Sequence, residues 1–60
     1  SSGKEYVLRR ENQPEIEVIV DTIQADGSLR VVSCESKEEI KLGLNQYTFR
    51  LEDSSIIPRD

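Results

Sequence analysis

The side chains that could do chemistry in this 60-residue chain are one cysteine and twelve carboxylates, and there is no histidine. Without an imidazole, neither a Ser-His-Asp nor a Cys-His nucleophile can be assembled from these residues. One cysteine cannot supply a Cys/His zinc site. Cys34 has only Lys37 as a nearby cation in sequence, so we interpret it as a small core residue. The chain is therefore predicted not to be an enzyme, with no catalytic, cofactor-binding or metal-binding residues and no cofactor.

The carboxylates do not follow the spacing of a calcium-binding loop. The densest groups are Glu15 with Glu17, and Glu35 with Glu38 and Glu39. We interpret both groups of glutamates as side chains on solvent-exposed strand faces. The three glycines are too scattered to form a phosphate-binding loop.

The net charge of −4 argues against several classes of partner. Nucleic-acid binding requires a basic face, so nucleic acid is disfavoured. An anionic membrane surface is disfavoured for the same reason, and no apolar run approaches the roughly 18 residues of a membrane span. A single cysteine excludes an internal disulfide and favours a reducing compartment, so we predict an intracellular, cytoplasmic location.

The length allows one domain with a small core. The opening Ser1-Ser2-Gly3 has the composition of an expression-tag remnant. We therefore predict a single β-barrel domain over residues 4–60, excised from a larger protein. Part of its core would then be supplied by a neighbouring domain or a second copy.

Alternation of apolar and polar residues predicts strands at residues 5–9, 15–23, 29–34 and 46–52. Asp26-Gly27 predicts a tight hairpin between the second and third of these. Ile56 and Ile57 are expected to form a last short strand or a tucked tail. In the strand 15–23, Ile19 and Ile23 are expected on the face opposite Ile16, so this strand has apolar residues on both faces.

The segment 36–44 is consistent with two structures. Ser36 and Glu39 match a capping box, which would begin a helix that Gly43 ends after about two turns. The alternative is a strand with Ile40 and Leu42 on one face. We favour the strand, because short isolated helices are marginal.

These elements predict an all-β fold of about five strands, which in so short a chain would close to avoid exposed edges. We predict a small five-stranded SH3-like barrel, with an OB-like or Sm-like barrel as the alternative. The aromatic residues Tyr6, Tyr47 and Phe49 alternate along apolar faces and are interpreted as core residues rather than as a base-stacking surface.

The run I-Q-A-D-G-S-L-R-V-V-S (residues 23–33), followed by E-E-I-K-L (residues 38–42), resembles the C-terminal domain of biotin protein ligases. Asp26-Gly27-Ser28-Leu29 and Val31 match the turn and strand of that family, and Ile40 and Leu42 match its next strand. The resemblance covers about 25 residues. It implies an SH3-like accessory domain beside a catalytic domain, and no catalytic residue is carried over.

The favoured function is a non-catalytic protein-interaction or docking module, with Ile19, Val32, Tyr47 and Arg50 as candidate partner contacts. The partner would be another protein or a neighbouring domain of the same chain, and a homodimer is left open. One alternative is an accessory domain of a larger enzyme such as the ligase. The other is a small nucleic-acid-binding barrel, which would show salt-dependent binding.

Overall fold

The computed structural model describes residues 3–59, so Ser1 and Ser2 of the predicted tag remnant Ser1-Ser2-Gly3 lie outside the described residues. The described range contains six strands and no helix, and hence no helix long and apolar enough to cross a membrane. The strands are β1 (Glu5–Leu8), β2 (Ile16–Ile23), β3 (Ser28–Ser33), β4 (Glu39–Gly43), β5 (Tyr47–Arg50) and β6 (Ser55–Pro58). The all-β prediction is confirmed. The count of five is wrong, because Ile56 and Ile57, expected as a last short strand or a tucked tail, belong to a sixth strand, Ser55–Pro58.

All six strands belong to one sheet, in the order β4-β3-β2-β1-β6-β5. Four of the neighbouring pairs are antiparallel, and β1 and β6 are parallel. The amides of Val7 and Arg9 donate to the carbonyls of Ser54 and Ile56, each at 2.9 Å. These bonds place the β5–β6 hairpin beside β1.

The sheet is curled but open. Its two edge strands, β4 and β5, follow each other in sequence and are joined by residues 44–46 only. A flat six-stranded sheet would separate its edges by about 24 Å, whereas the step from Gly43 to Tyr47 spans at most about 14 Å. Within residues 3–59 no ladder of hydrogen bonds joins β4 to β5, so closure into an SH3-like, OB-like or Sm-like barrel is not confirmed.

One face of the sheet forms the core. Its fully buried apolar side chains are Leu8, Val18, Leu29, Val31, Leu42 and Ile56. All six strands reach this cluster, since partly buried Tyr47 and Phe49 of β5 pack against it. The rings of Tyr6 and Phe49 meet edge to face, with centroids 5.4 Å apart. The interpretation of the aromatic residues as core is confirmed.

A register shift interrupts β2. Val20 pairs with Val31 but Thr22 pairs with Arg30, so one extra residue, Asp21, lies in β2 at this point. Side chains alternate across a strand, and an inserted residue therefore reverses the faces that follow it. Ile23 pairs with Leu29 on the core side and is 65% exposed at the end of the sheet. The expectation that Ile23 shares a face with Ile19 is wrong for this reason.

The ambiguous segment is a turn followed by a strand. Lys37 has a φ of 66° and donates its amide to the carbonyl of Ser33 at 3.0 Å, after which β4 begins at Glu39. The hydroxyl of Ser36 accepts from the amide of Glu38 at 3.3 Å, which is a local turn contact rather than a helix cap. The preference for a strand is confirmed.

Candidate protein-binding surface on the outer face of the sheet

The face of the sheet opposite the core carries four β-branched apolar side chains, one on each of β3, β2, β1 and β6. They are Val32, Ile19, Val7 and Ile57, and we call them the outer stripe. Each is half-buried, unlike the fully buried valines of the core. The pattern arises from strand alternation, because each residue adjoins a core residue in its own strand.

Strand pairing makes the outer stripe continuous. Ile19 lies directly opposite Val32. Val7 lies opposite Glu17, which places it diagonal to Ile19, and opposite Ser55, which places it diagonal to Ile57. Diagonal neighbours on adjacent strands are only about 7–8 Å apart, so the four side chains form one row across the sheet.

The residue Gly3 lies against the outer stripe. A Cβ added to Gly3 would come 2.7 Å from Cγ2 of Ile19 and 3.4 Å from the carbonyl oxygen of Val20. Gly3, two residues before β1, therefore lies over β2 on its outer side. The close approach of Gly3 accounts for part of the burial of Ile19. A side chain at position 3 would have to displace the side chain of Ile19.

Charge is distributed unevenly around the outer stripe. On the β3–β4 side, Nη2 of Arg30 lies 2.7 Å from Oδ2 of Asp21, and Nη1 lies 3.7 Å from Glu39. On the β1–β2 side, Glu5 and Glu17 form no ion pair with any residue of the range 3–59. One half of the surface is thus locally neutralised, while the other presents two free carboxylates.

The four candidate contacts from the sequence fall on both faces. Ile19 and Val32 lie side by side in the outer stripe. Arg50 is exposed on the outer face of β5, three strand spacings or about 14 Å from Ile19. Tyr47 lies on the core side, where it is partly buried, and its carbonyl accepts a bond from Nε of Arg59 at 3.1 Å.

Two members of the outer stripe were not anticipated. The alternation of E-Y-V-L-R predicts that Val7 lies on the other face of its strand from Tyr6 and Leu8, so the sequence contained a signal for Val7. Ile57 has no comparable signal, because its position depends on the parallel pairing of β6 with β1.

Cys34 lies partly buried beside a shallow pocket of about 180 Å³. The pocket is also lined by three acidic residues, Glu15, Glu17 and Glu35. The ammonium of Lys37 donates to the backbone carbonyl of Cys34 at 3.0 Å rather than to its sulfur.

A larger groove, of about 440 Å³, lies between the 9–15 and 34–38 connections. Arg10 lines this groove, and its Nε is buried without a hydrogen-bond partner in the described part of the chain. Carboxylates of Glu35, Glu38 and Glu39 share the groove, so an anion would meet more negative than positive charge. Among residues 3–59 no three acidic or cysteine side chains are grouped as metal ligands.

Comparison of the chain with protein-family models, with curated proteins and with solved structures finds no match in any of the three. The resemblance to biotin protein ligases stays a prediction.

Proposed function

We propose that this chain is a non-catalytic protein-docking module that binds its partner through the outer stripe. The observation that carries the proposal is the outer stripe itself, four contiguous apolar side chains that remain partly accessible to solvent on a sheet face. Contiguous apolar surface bordered by polar residues is typical of interaction sites, whereas scattered single residues are not. The partner is another protein or a neighbouring domain of the same chain.

The charges beside the outer stripe define the chemistry of that partner. Glu5 lies opposite Ile19, and Glu17 lies opposite Val7, so apolar and acidic side chains alternate over β1 and β2. A complementary surface has an apolar centre with lysine or arginine beside it. Such complementarity contributes mainly to specificity and to the rate of association.

The aromatic residues support protein docking over nucleic-acid binding. Stacking of single-stranded bases requires exposed aromatic faces. Tyr6 and Phe49 instead pack against each other on the core side of the sheet, and Tyr47 packs against the same core.

Within this proposal the domain is an opened relative of the SH3-like barrel. The curl that brings β4 and β5 within one short turn supports that classification. The parallel pairing of β1 with β6 and the gap between the edges are departures from a closed barrel. The cytoplasmic location and the accessory role beside a ligase stay predictions.

The proposal is tested by titrating the ¹⁵N-labelled chain with two synthetic peptides, one alternating valine and lysine and one alternating valine and glutamate. We expect the basic peptide to shift the amide signals of Val7, Ile19 and Val32, and the acidic peptide to leave them unchanged. Raising the salt concentration should weaken the effect.

The double variant Glu5→Gln/Glu17→Gln should weaken binding of the basic peptide. The matched control is Glu11→Gln/Glu52→Gln, which removes the same charge from exposed positions outside the outer face. An equal loss in the control, or signal shifts confined to other surfaces, would contradict the proposal.

A further inference from the structure

The strand β4 ends the sheet with unpaired backbone groups. Ser33 donates to the carbonyl of Glu38, and Leu44 donates to the carbonyl of Gly27, at 2.9 and 3.4 Å. In an antiparallel ladder, residues that bond the neighbouring strand alternate with residues that point away from it. The amides and carbonyls of Glu39 and Lys41 therefore point away from β3, towards the open edge.

The side chains at these two positions have opposite charge. Those of Glu39 and Lys41 are 64% and 63% exposed, on the outer face of β4. Ile40 lies between them, on the core face and half-buried. The sequence E-I-K is therefore complementary to itself when two copies run antiparallel about Ile40.

We propose that two copies of the chain associate through antiparallel pairing of their β4 strands, centred on Ile40. In this register Glu39 lies opposite the partner's Lys41, and Lys41 opposite the partner's Glu39. Both are hydrogen-bonded pairs, so the contact contains four backbone hydrogen bonds. Two opposite-charge pairs flank them on the outer face, and the two Ile40 side chains meet on the core face.

Geometry favours this half of β4. The turn at 44–46 brings β5 close to the end of β4, whereas Glu39 lies four residues before Gly43, at the far end of the strand. The large groove beside Glu39 and Ile40 is open to solvent. The contact spans only three residues of each strand, so the surface that it buries is expected to be below the roughly 1,200 Å² at which stable interfaces begin. We therefore expect the association to be weak and concentration-dependent.

The contact uses the sheet edge and leaves the outer stripe free, so it does not rest on the docking function. A dimer can form whether or not the outer stripe binds a partner. Failure of one experiment leaves the other unaffected.

Charge variants test the register in sedimentation equilibrium up to millimolar protein. Wild type should show a reversible monomer–dimer equilibrium. Glu39→Lys alone and Lys41→Glu alone each place like charges opposite each other twice, which should weaken self-association about tenfold. An equimolar mixture of these two variants should restore dimers, because opposite charges then face each other again.

The double variant Glu39→Lys/Lys41→Glu provides the matched control. It has the same net charge as wild type and again places opposite charges across the contact, but it loses the ion pairs of Glu39 with Arg30 and of Lys41 with Asp26. It should therefore associate more strongly than either single variant. Circular dichroism confirms that each variant is folded. Monomeric wild type at every concentration would overturn the proposal, and so would single variants that associate as strongly as wild type.

Cross-linking gives a second readout. Residues opposite each other in a non-hydrogen-bonded pair have Cα atoms about 4.5 Å apart, within disulfide range. Cys34→Ser/Ile40→Cys should therefore form a disulfide-linked dimer on oxidation. Cys34→Ser/Lys41→Cys should cross-link much more slowly, because the two introduced cysteines are offset along the strands. Faster cross-linking at position 41 would overturn the proposed register.

Discussion

Two turns at the same end of the sheet use one local arrangement. Asp26-Gly27-Ser28 leads into β3 and Asp53-Ser54-Ser55 leads into β6. In each turn a buried serine begins the strand and donates its hydroxyl to the aspartate two residues earlier, at 2.6 and 2.7 Å. The residue between them has positive φ, 85° at Gly27 and 53° at Ser54.

The two turns differ in their backbone and in their charges. Glycine adopts positive φ without steric cost, whereas Ser54 does not. Asp26 accepts a further bond from the amide of Ser28 at 3.0 Å and an ion pair from Lys41 at 2.8 Å. The Lys41 ammonium, followed by the Ser28 donors, holds the pKa of Asp26 far below its usual range. The pKa of Asp53 is lowered mainly by the Ser55 hydroxyl.

The recurrence of one arrangement in both turns explains why A-D-G-S-L predicts the local structure well but is weak evidence for a protein family. The hairpin is confirmed, but Asp26 does not adopt positive φ. Instead Gly27 donates to the carbonyl of Gln24 at 3.0 Å, and Asp26 caps the first residue of β3. The same arrangement recurs at Asp53 without glycine, so local geometry alone accounts for the motif.

The largest difference between the turns should appear in the replacement of each middle residue by alanine. Gly27→Ala should destabilise the domain by about 1–2 kcal/mol, because a left-handed conformation disfavours a Cβ. Apart from its two chain neighbours, no atom of residues 3–59 lies within 4 Å of that Cβ, so the cost is purely conformational. Ser54→Ala should cost less than about 0.5 kcal/mol, since Ser54 already has a Cβ. Urea denaturation measures both, and equal costs would refute the backbone explanation.

Removing the serine hydroxyls should have a similar effect in both turns. Ser28→Ala and Ser55→Ala should each cost about 1 kcal/mol, the usual net value of a hydrogen bond. Ser28 should lose slightly more, because its hydroxyl also contacts Oε1 of Gln24 at 2.8 Å. Thermal unfolding of the two variants checks this order. A negligible loss at both sites would mean that solvent replaces these bonds at no cost.

Giving the second turn a glycine should make the two turns more alike. Ser54→Gly should stabilise the domain by about 0.5 kcal/mol, since relief of the left-handed conformation exceeds the added entropy of the unfolded chain. The measurement is again the free energy of unfolding in urea. Ala25→Gly, at an exposed turn residue without positive φ, is the control and should not stabilise.

The smallest effects should appear in the pH dependence of stability. Because the pKa of Asp26 is lower in the folded state, the unfolded chain takes up the proton first as the pH falls through about 4. The advantage of wild type over Asp26→Asn should therefore be full at neutral pH and shrink below about pH 4. Asp53→Asn should show the same sign with a smaller amplitude, as it has no lysine partner. A constant difference between pH 7 and pH 2 would contradict this linkage.

Much of the sheet was predictable because burial of one face imposes a period of two. Alternation identified β1, β2, β3 and β5, together with core residues such as Val18 and Phe49. The inserted residue at Asp21 was not visible, because it changes only which residues pair across two strands. The candidate surface was half predictable: Ile19 and Val32 were identified, and Val7 could have been.

The amino-acid sequence by itself determined the strand-forming segments, the Asp26-Gly27 hairpin and the absence of histidine-based chemistry. These depend on neighbouring residues or on composition. Only the tertiary structure decided that Ser55–Pro58 pairs in parallel with β1, that the sheet curls without closing, and that Ile57 completes the outer stripe. The physical reason is that these features depend on pairing between residues nearly fifty positions apart, where local preferences do not distinguish one partner strand from another.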